Sequence, residues 1–216
     1  MKFKKFAVLA VLFLLPITVY LFFASGVNNF AKLPVLSYQV APIDTLKTVA
    51  GEMVQLKDRI TVLGFFGNEV TEKKANAFNL AHKIYKKNYQ FADFQMVFLI
   101  TKGQAKEVAA LKQRLTEIEN PVKYKFVEAS PEAIASVFTS LETDGVLSKN
   151  YSSDRVFIID KDSRLRGRND DEDVGILYGY NASDYAEVNN KMSDDIKVIL
   201  AEYRLALKKY KADREI

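Results

Sequence analysis

Apolar and polar residues alternate in blocks along this chain, and the blocks change period in an order that predicts a layered α/β domain. Residues Phe6 to Phe23 form an uncharged run of eighteen. The next strong signal is Ile60 to Phe66, apolar and rich in β-branched residues, which predicts a buried strand. From about Glu69 the spacing turns helical, with Phe78, Ala81, Ile84 and Tyr85 on one face, so a strand is expected to feed a helix through the turn Gly67-Asn68. Phe94 to Thr101 predicts a second buried strand. Val108, Leu111, Leu115 and Ile118 mark a second amphipathic helix that must stop before Pro121. Val122 to Val127 alternates with Lys123 and Lys125, the pattern of a strand at a sheet edge. Ser130-Pro131 then opens a short helix carrying Ile134, Val137, Phe138 and Leu141.

After a polar loop from Asp144 to Asp154, Arg155 to Asp160 predicts another buried strand. Lys161-Asp162-Ser163 supplies turn chemistry for a hairpin whose second arm is Arg164 to Arg168. Asn169 to Asp173 is expected as an acidic loop. Helix is expected from Ser183 onward, with Met192, Ile196, Ile199, Tyr203 and Tyr210 on one stripe and Ser193 as N-cap ahead of Asp194 and Asp195. Upstream of all this, residues 27–58 contain Pro34 and Pro42 and predict a tether and irregular lead-in, with a small hairpin at Thr48 to Lys57 turning on Gly51. The expected divisions are therefore an N-terminal segment 1–26, the lead-in 27–58 and a domain 59–212.

The uncharged run at residues 6–23 changes the picture from a soluble domain to an attached one. As a helix it is ~27 Å long, against ~30 Å for the hydrocarbon core of a bilayer. Lys2, Lys4 and Lys5 precede it and no basic residue follows until Lys32, which puts the N-terminus in the cytoplasm and the domain outside. Ala24-Ser25-Gly26 offers an alternative as a signal-peptide cleavage site, but the run exceeds the ~7–15 residues of a usual signal core, favouring an uncleaved anchor.

Charge and composition remove several function classes. The 31 basic and 27 acidic residues leave +4, and three of those charges sit before the apolar run, so the folded part lacks the basic excess that nucleic-acid binding requires. The chain has no cysteine and one histidine. Disulfides, thiolate metal sites and thiol redox are excluded, and a histidine cluster is as well. No phosphate loop, nucleotide fingerprint or serine–histidine–acid set is present. His82 has no acidic or histidine partner on its helical face and reads as a structural or surface residue. Asp170, Asp171, Glu172 and Asp173 lack the alternating spacing and turn glycine of a calcium loop and read as a solvated charge run. The loop Ile176 to Tyr185, with Tyr178 and Tyr180, has tyrosines suited either to protein contact or to core packing.

Alternating strands and helices followed by a hairpin and a terminal helix describe a mixed sheet flanked by helices, the thioredoxin-like plan. Within that plan, VQLKDRITVLGFFG with a helix directly after it, and later RVFIIDKDSRLRG, resemble the SCO/SenC family, membrane-anchored copper-handling assembly factors of cytochrome oxidase. The similarity covers roughly Pro34 to Tyr210. That family places a CxxxC pair after the first strand, where this chain reads GNEVTEKK, and a metal-binding histidine before the hairpin strand, where it reads Asn150-Tyr151-Ser152-Ser153-Asp154. Neither ligand set can be carried over, so no copper and no cofactor are expected.

The resemblance implies a non-catalytic protein at the outer face of a bacterial inner membrane, acting by protein contact in assembly of a respiratory oxidase. Asn68, Glu69, Tyr178 and Tyr180 are the candidate partner surface. The alternatives are a thiol-independent enzyme using Asn68, Glu69 and Thr71 in the same pocket, and a cation-responsive module built on residues 170–173.

Overall fold

Strand β3 (Ile60–Gly67) is buried along its whole length, and the sheet is built outward from it. The computed structural model describes residues 2–24 and 32–212. These fall in two units, divided after Ala31. In the first, helix α1 (Lys2–Ala24) contains a stretch, Lys4–Phe22, long and apolar enough to cross a membrane. Ser25 and Gly26 of the candidate cleavage site lie outside the described residues, as do residues 27–31 of the tether and the side chain of Tyr210.

The second unit begins at Lys32. Its elements in chain order are β1 (Val35–Ser37), β2 (Lys47–Thr48), β3, helix α2 (Lys74–Leu80), a π-helical turn (Ala81–Tyr85), α3 (Lys86–Asn88), β4 (Phe94–Thr101) and α4 (Ala105–Leu115). There follow β5 (Tyr124–Ala129), α5 (Pro131–Thr139), β6 (Arg155–Ile159), β7 (Leu165–Arg166), β8 (Arg168–Asp171), β9 (Gly175–Leu177) and β10 (Tyr180–Asn181). The chain closes with α6 (Tyr185–Glu187), a second π-helical turn (Val188–Met192) and α7 (Ser193–Ala212). The main sheet runs β1-β7-β6-β3-β4-β5-β2, with β10 also on β6. Strands β3, β4 and β5 are parallel, whereas β6, β7, β1 and β2 pair antiparallel. The sheet is therefore mixed, as the order of elements predicts.

Both faces of the central strands are covered, which is why β3 and β4 read as continuous apolar runs instead of alternating ones. Ile60, Val62 and Phe66 face one core with Leu80, Ile84, Leu111, Leu115, Ile196 and Ile199 from the helices. Leu63 and Phe65 face the other with Ile134, Val137 and Phe138 of α5. Gly64 is needed on the first face, because a Cβ there would meet the Phe98 ring at 2.6 Å.

Several sequence expectations are corrected. Residues 32–58 are part of the domain: Leu33 lies in the first core and Val40, Ile43, Val54 and Leu56 in the second. This lead-in supplies both outer strands of the sheet. The small hairpin does turn on Gly51, at φ +84°, but its first arm joins β5 and so covers the edge assigned to residues 122–127. Lys125 is accordingly paired with Glu52 of that hairpin.

Helix α2 begins at Lys74, leaving Glu69 in the turn region ahead of it, because Asn68 and Glu69 are held by the loop before β6. The acidic run is a β8–β9 hairpin, and its Asp171 is buried and paired with Lys191 at 2.7 Å. Asp184 caps the closing helix, accepting from the N–H groups of Ala186 and Glu187 at 2.8 and 3.2 Å. Ser193 lies within its continuous helical path, at φ −61°. Tyr180 is fully buried.

Candidate functional site

At the C-terminal end of β3 the chain must leave the sheet, and Gly67 makes this possible. Its φ is +50°, and a Cβ there would come within 2.0 Å of the Asn150 carbonyl oxygen. A glycine is required by conformation and by contact. The next N–H, of Asn68, donates to that same Asn150 carbonyl at 2.9 Å, and the N–H of Ser153 donates to Phe65 O at 2.8 Å. The turn after β3 and the loop before β6, far apart in sequence, are therefore laced together by backbone bonds.

Side chains complete the latch. Glu69 accepts from Asn150 Nδ2 at 2.7 Å through one carboxylate oxygen and from the Ser152 hydroxyl through the other. The Ser152 hydroxyl has a single proton and spends it on Glu69, so Ser148 is the donor in the 2.9 Å contact between Ser148 Oγ and Ser152 Oγ. Ser148 Oγ also accepts from the N–H groups of Asn150 and Ser152, at 3.1 and 3.2 Å, which sets the loop's shape. The donors Asn150 and Ser152 hold the Glu69 carboxyl below the usual carboxylate range, with a smaller contribution from Lys73.

Two more cross-links flank this centre. Asp154 accepts from Lys73 Nζ and Asn76 Nδ2, both at 2.8 Å. Burial opposes the Asp154 charge, but these two donors outweigh it and lower its pKa. On the other side buried Gln104 donates to Gly67 O at 2.6 Å and accepts from the Val70 N–H at 3.3 Å. It pins the turn from the direction of α4.

The chain has the Sco-type thioredoxin-like fold. No family model matches it, and no curated protein matches its sequence. Among solved structures it superposes on BsSco, described as a member of the Sco family of cytochrome c oxidase assembly proteins. The TM-score is 0.51 at 13% identity, over 78% of this chain and 98% of that one. A putative electron transfer protein from Aquifex aeolicus VF5 superposes with TM-score 0.52 at 15% identity, over 77% and 92% of the two chains. At these identities the likeness is one of fold.

On this Sco-type fold the two segments that the resemblance singled out, the turn after β3 and the loop at residues 150–154, are in direct contact. What joins them is a carboxylate, amides and hydroxyls. That donor set is hard and already satisfied internally, since both Glu69 oxygens have protein partners, so it does not fit a copper ion, which favours thiolate and imidazole. Nor does the site present the Ser152 hydroxyl to a substrate: Ser152 is buried and its proton is donated to Glu69. Among the described residues no group of three or more His, Cys, Asp and Glu could hold a metal ion.

Of the residues singled out from sequence, Asn68 is exposed and Glu69 half-exposed, and they adjoin one another. Thr71 follows in the same turn. Tyr178 and Tyr180 do not join them: Tyr178 packs against the second core, and Tyr180 is buried with its hydroxyl on Asp195 at 2.6 Å. His82 is exposed in the π-helical turn, in a shallow groove with Phe78, Arg114, Glu117 and Ile118. Sequence reasoning missed Gln104, Asn76 and Ser148. None belongs to a motif, and each acts through a bond to a segment remote in sequence.

Proposed function

We propose that this protein is a non-catalytic, membrane-anchored contact protein, working at the outer face of a bacterial inner membrane in the assembly of a respiratory oxidase. One observation carries the reading: the two segments that would hold thiols and an imidazole in the resembled family are joined here through Glu69, Asn150 and Ser152. A latch of this kind keeps the surface shape of the pole while offering no redox or metal chemistry. Asn68, exposed beside it, and the rim of the 148–154 loop would form the contact face. The stretch Lys4–Phe22 supports attachment to a bilayer, and Lys2, Lys4 and Lys5 ahead of its uncharged run, which starts at Phe6, support a cytoplasmic N-terminus. The BsSco likeness supports placing the partner among oxidase subunits or their assembly factors.

The test is co-purification of the full-length chain from membranes of its own host, comparing wild type with Asn68→Arg, which adds bulk and charge at the exposed turn. Oxidase subunits or copper chaperones recovered with the wild type and lost with the variant are expected. Normal oxidase activity after gene deletion, with no such protein recovered, sinks the reading.

A further inference from the structure

The opposite pole of the sheet holds a second feature that the contact reading does not use. Strand β3 is ~23 Å long at a rise of ~3.3 Å per residue. At its N-terminal end, where β4 and β5 also begin, lies a cavity of about 530 Å³ lined by Asp44, Met53, Gln55, Arg59, Lys123 and Lys125 among others. Phe94 and Gln95 contribute to its wall. The volume falls within the ~300–1,000 Å³ usual for small-molecule sites.

The charges around this cavity are unbalanced. Three cationic side chains line it against the single carboxylate of Asp44. Lys125 is paired with Glu52. Arg59 and Lys123, by contrast, are bonded to backbone carbonyls, Arg59 NH1 to Ala92 O at 3.1 Å and Lys123 Nζ to Phe91 O. Neither takes part in an ion pair among the described residues. Those carbonyls orient the two cations without neutralising them. Burial, and then the nearby positive charge of Arg59, push the Lys123 ammonium below its ordinary pKa, with Asp93 partly offsetting them. Two half-buried like charges lining one cavity are at a cost that an anion between them would relieve.

The surrounding chemistry narrows the ligand. A guanidinium with only one N–H committed retains a fork for a carboxylate or phosphoryl group. Gln95 does not compete for the anion, because its amide is spent on Gln55 O at 2.8 Å and Thr61 Oγ1 at 2.9 Å. Met53, 67% exposed, adds an apolar wall at the mouth. We infer that this cavity binds a small organic anion, with a carboxylate or phosphoryl group seated between Arg59 and Lys123 and its carbon skeleton against Met53 and Phe94. The inference is independent of the proposed role of the other pole.

The test uses the full-length protein in detergent micelles, titrated by calorimetry with citrate and with glycerol 3-phosphate at constant ionic strength. Saturable binding to at least one is expected, weakened tenfold or more by Arg59→Gln and unchanged by Lys106→Gln, an exposed charge on α4. Arg59→Lys, which keeps the charge and loses the fork, should fall between. Because Lys123 also ties down Phe91 O, its variant Lys123→Gln is interpreted only where the unliganded melting temperature is retained. A response confined to phosphatidylglycerol nanodiscs, absent with phosphatidylcholine and lost in Arg59→Gln, assigns the same site to a lipid headgroup. No binding of either kind, or equal weakening by Lys106→Gln, overturns the inference.

Discussion

The hydroxyl of Tyr180 donates to Asp195 Oδ2 at 2.6 Å, and Arg168 grips the same carboxylate through Nε at 2.7 Å and NH2 at 3.0 Å. This joins β10, β8 and α7 at a buried point. Tyr180→Phe leaves the carboxylate with Arg168 and should cost about 1 kcal/mol. Asp195→Ala removes the acceptor of the buried Tyr180 hydroxyl and leaves Arg168 only Asp171 at 3.7 Å and the Lys191 carbonyl at 3.2 Å, and should cost more, roughly 2–3 kcal/mol. Chemical denaturation of both single variants and the double variant checks this. Strong non-additivity is expected, since the residues share one network.

Gly67→Ala should disturb the pole directly, since the new methyl meets the Asn150 carbonyl at 2.0 Å and the φ of +50° disfavours any side chain. A loss of about 1–3 kcal/mol is expected. Limited proteolysis should show new cleavage within residues 148–154. A variant as stable and as resistant as wild type would contradict the close approach.

Glu69→Ala should act locally. The amides of Asn68 and Ser153 join the two segments by backbone bonds, and removing the carboxylate that clamps Asn150 and Ser152 should speed hydrogen exchange at both. Global stability should fall by only about 1 kcal/mol, because the carboxylate is partly solvated.

Asp160 ties stability to pH. Burial alone would favour its neutral form, but hydrogen bonds from Arg164 and Arg166 prevail and hold its pKa below the ordinary carboxylate value. A native pKa below the unfolded one stabilises the fold fully above about pH 4 and loses that contribution as pH falls through the lowered native value. Asp171, lowered chiefly by Lys191, adds in the same direction. Thermal melts from pH 6 to pH 2 should show a falling midpoint, less steep in an Asp160→Asn variant. That variant should already be less stable at pH 6.

The central strands, α4, α5 and the β6–β7 hairpin were legible in sequence because each carries its own period or turn residues. What stayed hidden depends on pairing across distance. Nothing local to Val35 or Lys47 says that these short segments close opposite edges of the sheet. The helical spacing of 69–85 overran the true start at Lys74, because hydrophobic periodicity is blind to the bonds that hold Glu69 in a turn. Tyr180 carries the same residue type as a contact tyrosine, and only the carboxylate of Asp195, fifteen residues on, decides that it is core. At the candidate site, the missing thiols and histidine were plain, whereas the replacement latch needed the positions of Asn150 and Ser152 in space.

The strands at the two edges carry a consequence for synthesis. Strand β1 is among the first parts of the domain to be made, yet its partner is β7: Val35 lies against Arg166, and the Gly167 N–H bonds Pro34 O at 3.1 Å. Arg166 Nε also reaches back to Leu33 O at 2.7 Å. Strand β2 waits for Val127 and Glu128. Such long-range closures fold slowly. A nascent chain must therefore hold residues 33–37 unpaired until β7 has been translated and residues 47–48 until β5 has, so the earliest segments of the domain find their places late.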